Sequence, residues 1–171
     1  MTLTVREMMG SEAEVIIDYF LRATPEYLEI LGVDPSRLPP SQSWRERFER
    51  ESLRPIEQRG WIAVIWLLDD QPVGFSTSDK ITFGEQANMH LHVIDPERRN
   101  RGIGAECVRR SADFYFERLK LKRLFCEPNA FNVAPNRALQ KAGFKYLKTH
   151  MTVPGALNYR QAVTRWVMER I

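Results

Sequence analysis

The chain has 171 residues, a length typical of one domain with a single hydrophobic core. Its composition, 43% hydrophobic and 27% charged, is that of a globular protein in aqueous solution. No apolar run approaches the roughly 18 residues of a membrane-spanning helix, and the polar, acidic opening segment is unlike a secretory signal. We therefore expect one cytoplasmic domain over 1–171, without membrane association.

Acidic and basic residues are separated along the chain, which the net charge of +3 conceals. Residues 1–95 carry a net charge of −7, and residues 96–171 carry a net charge of +10. This separation predicts an anionic ligand for the basic half and a cationic ligand for the acidic half. Two solvated surfaces would produce the same pattern, so charge alone leaves both interpretations open.

Hydrophobic periodicity predicts the element order β-α-α-β-β-β-α-β-α-β-β, an α/β domain with one central sheet. The predicted strands are 2–8, 61–68, 73–83, 85–94, 123–127, 144–152 and 160–169. The predicted helices are 11–23, 43–58, 102–119 and 134–142. Ser11 and Glu14 are expected to form a capping box at the first helix, and the proline-rich segment 32–44 is predicted to be irregular.

The two cysteines, Cys107 and Cys126, fall in a predicted helix and a predicted strand. Neither has further cysteines or histidines at the spacing of a metal site. We expect reduced, buried thiols and no bound metal.

The predicted strand 85–94 has an unusual polar face. Apolar and polar residues alternate along it, which places the side chains of Asn88, His90 and His92 on one face. We interpret this face as the wall of a cleft, with an edge strand facing solvent as the alternative. Because the ordinary pKa of histidine lies near neutrality, His90 is a candidate general base. A functional and a structural role stay equally open for His92.

The segment after that strand places Arg98, Arg99 and Arg101 beside Gly102 and Gly104, at the start of the strongest predicted helix. Unpaired amides and the helix dipole make such a helix start a phosphate site, although an ordinary glycine-capped helix is the alternative. The spacing excludes a dinucleotide fingerprint, because Cys stands where the third Gly is needed, and it excludes a Walker A loop.

Two motifs together resemble the GNAT family of acetyl-CoA-dependent N-acyltransferases. The stretch 99–104, Arg-Asn-Arg-Gly-Ile-Gly, matches the family signature Arg/Gln-x-x-Gly-x-Gly/Ala. The stretch 132–144, "NVAPNRALQKAGF", resembles the second family motif, an Asn followed by a short helix that ends in Gly-Phe. The resemblance is specific over 85–144 and topological before that. It implies a single-domain GNAT fold, with a central mixed twisted sheet flanked by helices and splayed fourth and fifth strands.

The resemblance also implies acetyl-CoA as cosubstrate. Backbone groups of His92, Val93 and Ile94 would pair with the pantetheine arm, and the amides of 99–105 would hold the pyrophosphate. The cofactor-binding residues implied in this way are His92, Val93, Ile94, Arg99, Asn100, Arg101, Gly102, Ile103, Gly104, Ala105 and Asn132.

The chemistry implied by the family is direct attack of an amine on the thioester in a ternary complex, without a covalent enzyme intermediate. His90 would take the proton of the amine, directly or through water. Glu127 would act as a base or as an anchor for the amine, with an exposed strand-end carboxylate as the alternative. A backbone N–H near Val93 would stabilise the oxyanion.

One position departs from the family pattern. Many members carry a tyrosine general acid where this chain has Leu139. The proton donor to the thiolate is therefore unassigned, with water, Tyr115 and Cys126 as the candidates. The departure gives some weight to a domain that senses acyl-CoA without catalysing a reaction.

The acceptor is expected to be a primary amine of a small molecule, or of a protein N-terminus or lysine. Four residues could form the walls of a pocket for a cationic amine: Glu26, Tyr27, Asp34 and Trp44. His150 and Trp166 are assigned to packing. Nucleic-acid binding by the basic half is disfavoured, because aromatic residues are not interleaved with its charges. The oligomeric state is open, a homodimer included.

Overall fold

The computed structural model describes residues 1–94 and 102–170. The described strands are β1 (Leu3–Glu7), β2 (Ile62–Leu68), β3 (Gln71–Thr82), β4 (Gln86–Val93), β5 (Arg123–Cys126), β6 (Lys145–Thr152) and β7 (Gln161–Glu169). The α-helices are α1 (Ala13–Leu21), α2 (Pro25–Leu31), α3 (Ser41–Ser52), α4 (Ile103–Leu119) and α5 (Val133–Ala142). No helix in these ranges is both long enough and apolar enough to cross a membrane.

The strands form one sheet in the order β1-β2-β3-β4-β5-β7-β6. All neighbouring strands are antiparallel except β4 and β5, which run parallel. The β4–β5 pairing extends only from Gln86↔Arg123 to Met89↔Cys126, although β4 continues to Val93. The two strands therefore separate beyond Met89, which confirms the predicted mixed sheet with splayed fourth and fifth strands.

The continuous apolar sequence of β2 places this strand in the centre of the core. Every residue of β2 is buried, because helices cover both faces of the sheet. Ile62, Val64 and Trp66 point into the cluster under α4 and α5. Ala63 and Ile65, which alternate with them, point into the cluster under α1, α2 and α3.

The segment between β1 and β2 is more helical than predicted. Helix α2 begins at Pro25, and the hydroxyl of Thr24 caps it by accepting the N–H of Tyr27. The helix is terminated by Gly32, whose φ of +71° is left-handed. Helix α3 begins at Ser41, inside the segment that was predicted to be irregular. The prolines of this segment lie at or before helix starts, where a missing N–H costs nothing.

The predicted capping box of Ser11 and Glu14 is wrong. Glu12 supplies only one half of such a box, since its Oε1 accepts the N–H of Met9 at 2.8 Å while the Met9 side chain makes no capping bond. Both Glu12 carboxylate oxygens also accept hydrogen bonds from Arg6, at 2.9 and 2.8 Å. This pair joins β1 to the start of α1.

We expect Glu12→Gln to lower the free energy of unfolding by about 1 kcal/mol near neutral pH. The hydrogen bond from Arg6, opposed by burial and aided by the Met9 amide, holds the pKa of Glu12 below its ordinary value. A carboxylate with a lowered pKa stabilises the fold above its unfolded pKa, and this contribution is lost as the pH falls through its folded pKa. Urea unfolding at about pH 7 and about pH 3 should show the difference shrinking in acid.

The control for this change is Glu49→Gln, at an exposed site on α3, which should alter stability by less than about 0.5 kcal/mol. A Glu12→Gln deficit of the same size at both pH values would contradict the role given to the carboxylate charge.

Candidate active site

A cavity of about 390 Å³ lies where β4 and β5 separate. The loop that follows β5, the 154–158 loop between β6 and β7, and residues of α1 and α3 complete its walls. Four of the sequence-predicted site residues meet on these walls: His90, His92, Glu127 and Asn132. Residues more than 30 positions apart in the sequence are therefore brought together by the parallel pairing of β4 with β5.

His90 is hydrogen-bonded to Asp79, with 3.0 Å between Nε2 and Oδ1. The antiparallel register of β3 and β4 places them together, because Asp79 pairs with Asn88, two residues before His90. Burial by itself raises the pKa of Asp79, but the interaction with His90, together with the charges of Lys80 and Arg47, holds this pKa below its ordinary value. An ionised Asp79 accepts the Nε2–H of a neutral His90, which leaves Nδ1 as the proton acceptor.

His92 lies among aromatic side chains. Its Nδ1 is 3.2 Å from the Tyr19 hydroxyl, and its ring centroid lies 5.2 Å from that of Phe20 and 4.9 Å from that of Phe75. Burial, with a smaller effect of His90, lowers the pKa of His92 to about 3. The ring is therefore neutral at physiological pH and packs as a polar aromatic, which favours the structural role of the two left open.

Glu127 is buried, with only 6% of its side chain exposed. Arg165 lies 3.0 Å from Oε1, and the Nε2 of His150 lies 2.7 Å from Oε2. Asn88 adds a longer contact of 3.5 Å to Oε1. The alternative of an exposed carboxylate is therefore wrong, and so is the assignment of His150 to packing alone.

The backbone of β4 alternates between its two neighbours. The N–H of Ile94 donates to the carbonyl of Val73 at 2.9 Å, so Ile94 faces β3. Because backbone groups alternate along an antiparallel strand, His92 also faces β3, whereas Leu91 and Val93 face the side of β5. We expected the backbone groups of His92 and Ile94 to face the cleft, but they face β3. The β4 residues whose backbone groups face the cleft are Leu91 and Val93.

Helix α4 begins at the predicted glycine turn. Gly102 caps it with a left-handed φ of +74°, a conformation that favours glycine. Among the residues that the structure describes, none lies within 4 Å of a Cβ added at Gly102 or Gly104. The amides of Ile103, Gly104 and Ala105 lie in the first turn, where the helix supplies no acceptor. The predictions for Arg99, Asn100 and Arg101 lie outside the described residues.

Asn132 occupies the N-cap of α5, but its side chain makes no capping hydrogen bond. Its carbonyl accepts a bond of 2.8 Å from Asn136, which fixes the backbone. The Asn132 residue lies on the cavity wall, as a contact with a bound ligand would require.

The candidate proton donors are placed unequally. Leu139 is fully buried in the core. Tyr115 is fully buried too, donates to Ser76 at 3.0 Å, and has a pKa well above its ordinary value because of burial. Tyr115 is therefore excluded as a donor to the cavity. Cys126 lines the cavity, and burial also raises the pKa of its thiol.

The expected acceptor wall is formed only in part. Trp44 lines the cavity, whereas Tyr27 lines a separate depression beside Tyr19. The Asp34 side chain accepts a hydrogen bond from the Ser36 amide instead of entering the cavity, and Glu26 is exposed on α2. Asp79, Arg47 and Arg165 could not be recognised from the sequence, because their positions in the site depend on long-range packing.

The 154–158 loop covers His90. A Cβ added at Gly155 would lie 3.2 Å from the Cε1 of His90. Lys80 holds the loop through the carbonyl of Pro154 at 3.3 Å, and the amide of Asp34 donates to Leu157 at 2.8 Å. The loop therefore fixes the roof of the cavity above the histidine.

A family model described as an acetyltransferase (GNAT) domain matches residues 2–145. No curated protein sequence matches the chain. The chain resembles the crystal structure of aminoglycoside acetyltransferase AAC(6')-Ib in complex with coenzyme A, with a TM-score of 0.73 and 17% identity over 99% of this chain and 95% of the other.

Two further structures show the same fold. The RimL ribosomal L7/L12 alpha-N-protein acetyltransferase in complex with coenzyme A gives a TM-score of 0.76 at 16% identity, covering 98% of this chain and 94% of that one. The spermidine N-acetyltransferase from Vibrio cholerae, in complex with CoA and spermine, gives 0.75 at 14% identity, covering 98% and 95%. The chain belongs to the GNAT acetyltransferase family, as the family model over most of its length shows.

Proposed function

We propose that the protein is an acetyl-CoA-dependent N-acetyltransferase that moves an acetyl group to a primary amine by direct attack in a ternary complex. The observation that carries this proposal is the His90–Asp79 pair on the wall of the β4–β5 cavity. Structural neighbours of this chain bind coenzyme A together with amine substrates, among them spermine and aminoglycosides. Their substrates differ widely, so the acceptor of this chain has to be derived from its own cavity.

The residues present fit acetyl-CoA. The first-turn amides of α4 suit the pyrophosphate, and the open space beside Gly102 and Gly104 lets it approach the backbone. Backbone groups of Leu91 and Val93 face the side on which an extended pantetheine arm would pair as an added strand. Asn132 would contact the same molecule from the opposite wall. Bound acetyl-CoA supplies an acetyl group activated as a thioester.

His90 acts as the general base. Its Nδ1 accepts a proton from the attacking amine, directly or through one water molecule. Asp79 positions the ring through Nε2 and stabilises the imidazolium that forms. The proton on His90 then passes to solvent or to the departing thiolate, which becomes the free thiol, since no tyrosine lines the cavity in the part of the chain that the structure describes.

Glu127 serves as the anchor of the amine rather than as its base. Arg165 and His150 already contact its two carboxylate oxygens, so a proton from the amine would have to displace one of these partners. A carboxylate held in this way still has lone pairs with which to accept a hydrogen bond from the substrate. We assign it to orienting the N–H of the acceptor toward the gap between β4 and β5.

The test is a panel of primary amines with acetyl-CoA, monitored by release of the free thiol. We expect turnover with at least one amine and formation of its N-acetyl product. Leu139, in the place of a tyrosine acid, favours the second candidate, a domain that senses acyl-CoA. Tight binding of coenzyme A without turnover of any amine in a broad panel would support that candidate and contradict the transferase.

A further inference from the structure

The charged residues on the cavity wall are unequally paired. All three carboxylates on the wall are already in contact with a basic side chain. The pairs are Glu51 with Arg54 at 3.5 Å, Asp79 with His90 at 3.0 Å and Glu127 with Arg165 at 3.0 Å. Glu51 also accepts the amide of Gly60 at 3.1 Å. The acidic side chains are thus already engaged and do not form an open site for a cation.

Two arginines of α3, Arg47 and Arg50, line the same cavity. Within residues 1–94 and 102–170, no carboxylate forms an ion pair with either of them. Arg47 is half-buried, and its guanidinium lies 5.5 Å from the ring centroid of Trp61. Burial, and to a smaller extent the charge of Arg50, lower the pKa of Arg47, although the charges of Asp79 and Glu51 oppose this.

A half-buried guanidinium that no described carboxylate pairs with directly is costly, and an anion bound to it would lower that cost. A guanidinium binds carboxylates and phosphates through paired hydrogen bonds, which gives orientation as well as affinity. The positive charges of Arg47 and Arg50, which form no ion pair within the described residues, would instead repel a polycationic acceptor. The same cavity is also lined by the apolar side chains of Phe20, Trp44 and Leu157, which suit a substrate with an apolar body.

We propose that the acceptor carries an anionic group, a carboxylate or a phosphate, in addition to its amine, and that Arg47 binds this group. This inference rests on the proposed transferase function and specifies its substrate class. Arg47 determines specificity and takes no part in proton transfer. Its side chain would hold the anionic end while His90 and Glu127 act at the amine.

The test compares amines that differ only in the anion. Two substrate pairs test a carboxylate: phenylalanine with phenethylamine, and γ-aminobutyrate with butylamine. A third pair, phosphoethanolamine with ethanolamine, tests a phosphate, and spermidine represents polycations. In at least one pair, the anionic member should have a kcat/KM at least about tenfold higher. Arg47→Gln should remove this preference by raising the KM for the anionic member of the pair. The kcat/KM for the uncharged member should stay within about threefold of its value in the unchanged protein. The preferred pair also distinguishes carboxylate from phosphate.

The matched control is Arg45→Gln, two positions away on the same helix, where Arg45 pairs with Glu14 outside the cavity. This variant should keep the preference. Higher activity on spermidine and on the uncharged member of every pair would overturn the inference, as would a weakened affinity of Arg47→Gln for coenzyme A. Either result leaves the transferase function standing, whereas absence of acetylation on every amine would overturn that function itself.

Discussion

Replacing His90 by alanine is expected to lower kcat by about 10²- to 10⁴-fold, the usual contribution of a positioned general base. The affinity for acetyl-CoA should stay within about threefold, because the imidazole faces Asp79 and the acceptor side of the cavity. Steady-state kinetics and calorimetric titration measure the two quantities separately. Retained turnover in His90→Ala would show that the base lies elsewhere.

Asp79→Asn gives the companion result for the positioning role. An asparagine keeps the size of the side chain but removes the charge that stabilises the imidazolium, so kcat should fall by at least about tenfold with little change in KM. Asp79→Glu should recover part of the loss, which a purely structural defect would not do. The exposed Asp69→Asn is the matched control and should leave kcat unchanged.

Replacing Glu127 by alanine is expected to have the largest effect on stability. The change leaves Arg165 and His150 without their carboxylate next to the cavity. Breaking a buried ion pair in this way costs about 3–5 kcal/mol, and we expect about 2 kcal/mol because Arg165 stays 25% exposed. The KM for the amine should rise in the same variant, since the anchor is lost.

A double-mutant cycle separates this pair from a general packing defect. Arg165→Met alone and Glu127→Ala alone should each destabilise the fold, whereas the double variant should lose clearly less than the sum of the two. Additive losses, measured by denaturant unfolding, would contradict an energetic coupling between the two side chains.

The periodicity of the sequence predicted the sheet and its polar strand, because those features are local. The alternation along 85–94 placed His90 on the cleft face, and the glycine turn predicted the start of α4 at its correct place. Helix α2 was missed although Thr24, Pro25 and Gly32 are standard start and stop signals. The prolines that follow, Pro35, Pro39 and Pro40, led instead to the prediction of an irregular segment.

The partners of the site residues could not be predicted in the same way. Asp79 lies beside His90 because of the register of β3 on β4. His150 of β6 contacts Glu127, which follows β5, because the strand order β5-β7-β6 places β6 only two strands from β5. Such contacts depend on strand order and register, which a single sequence does not determine. The net charge of the acidic half was misleading for the same reason. It predicted a site for a cation, but the cavity carboxylates Glu51 and Asp79 already have partners within the protein.

The most direct test of the central claim is mass spectrometry of an acceptor amine after incubation with acetyl-CoA and either the unchanged protein or His90→Ala. We expect an acetyl group on the amine with the unchanged protein, a strongly reduced yield with His90→Ala, and no acetylated protein intermediate. Equal yields from the two proteins, or an acetyl group carried covalently by the protein during turnover, would contradict the central claim.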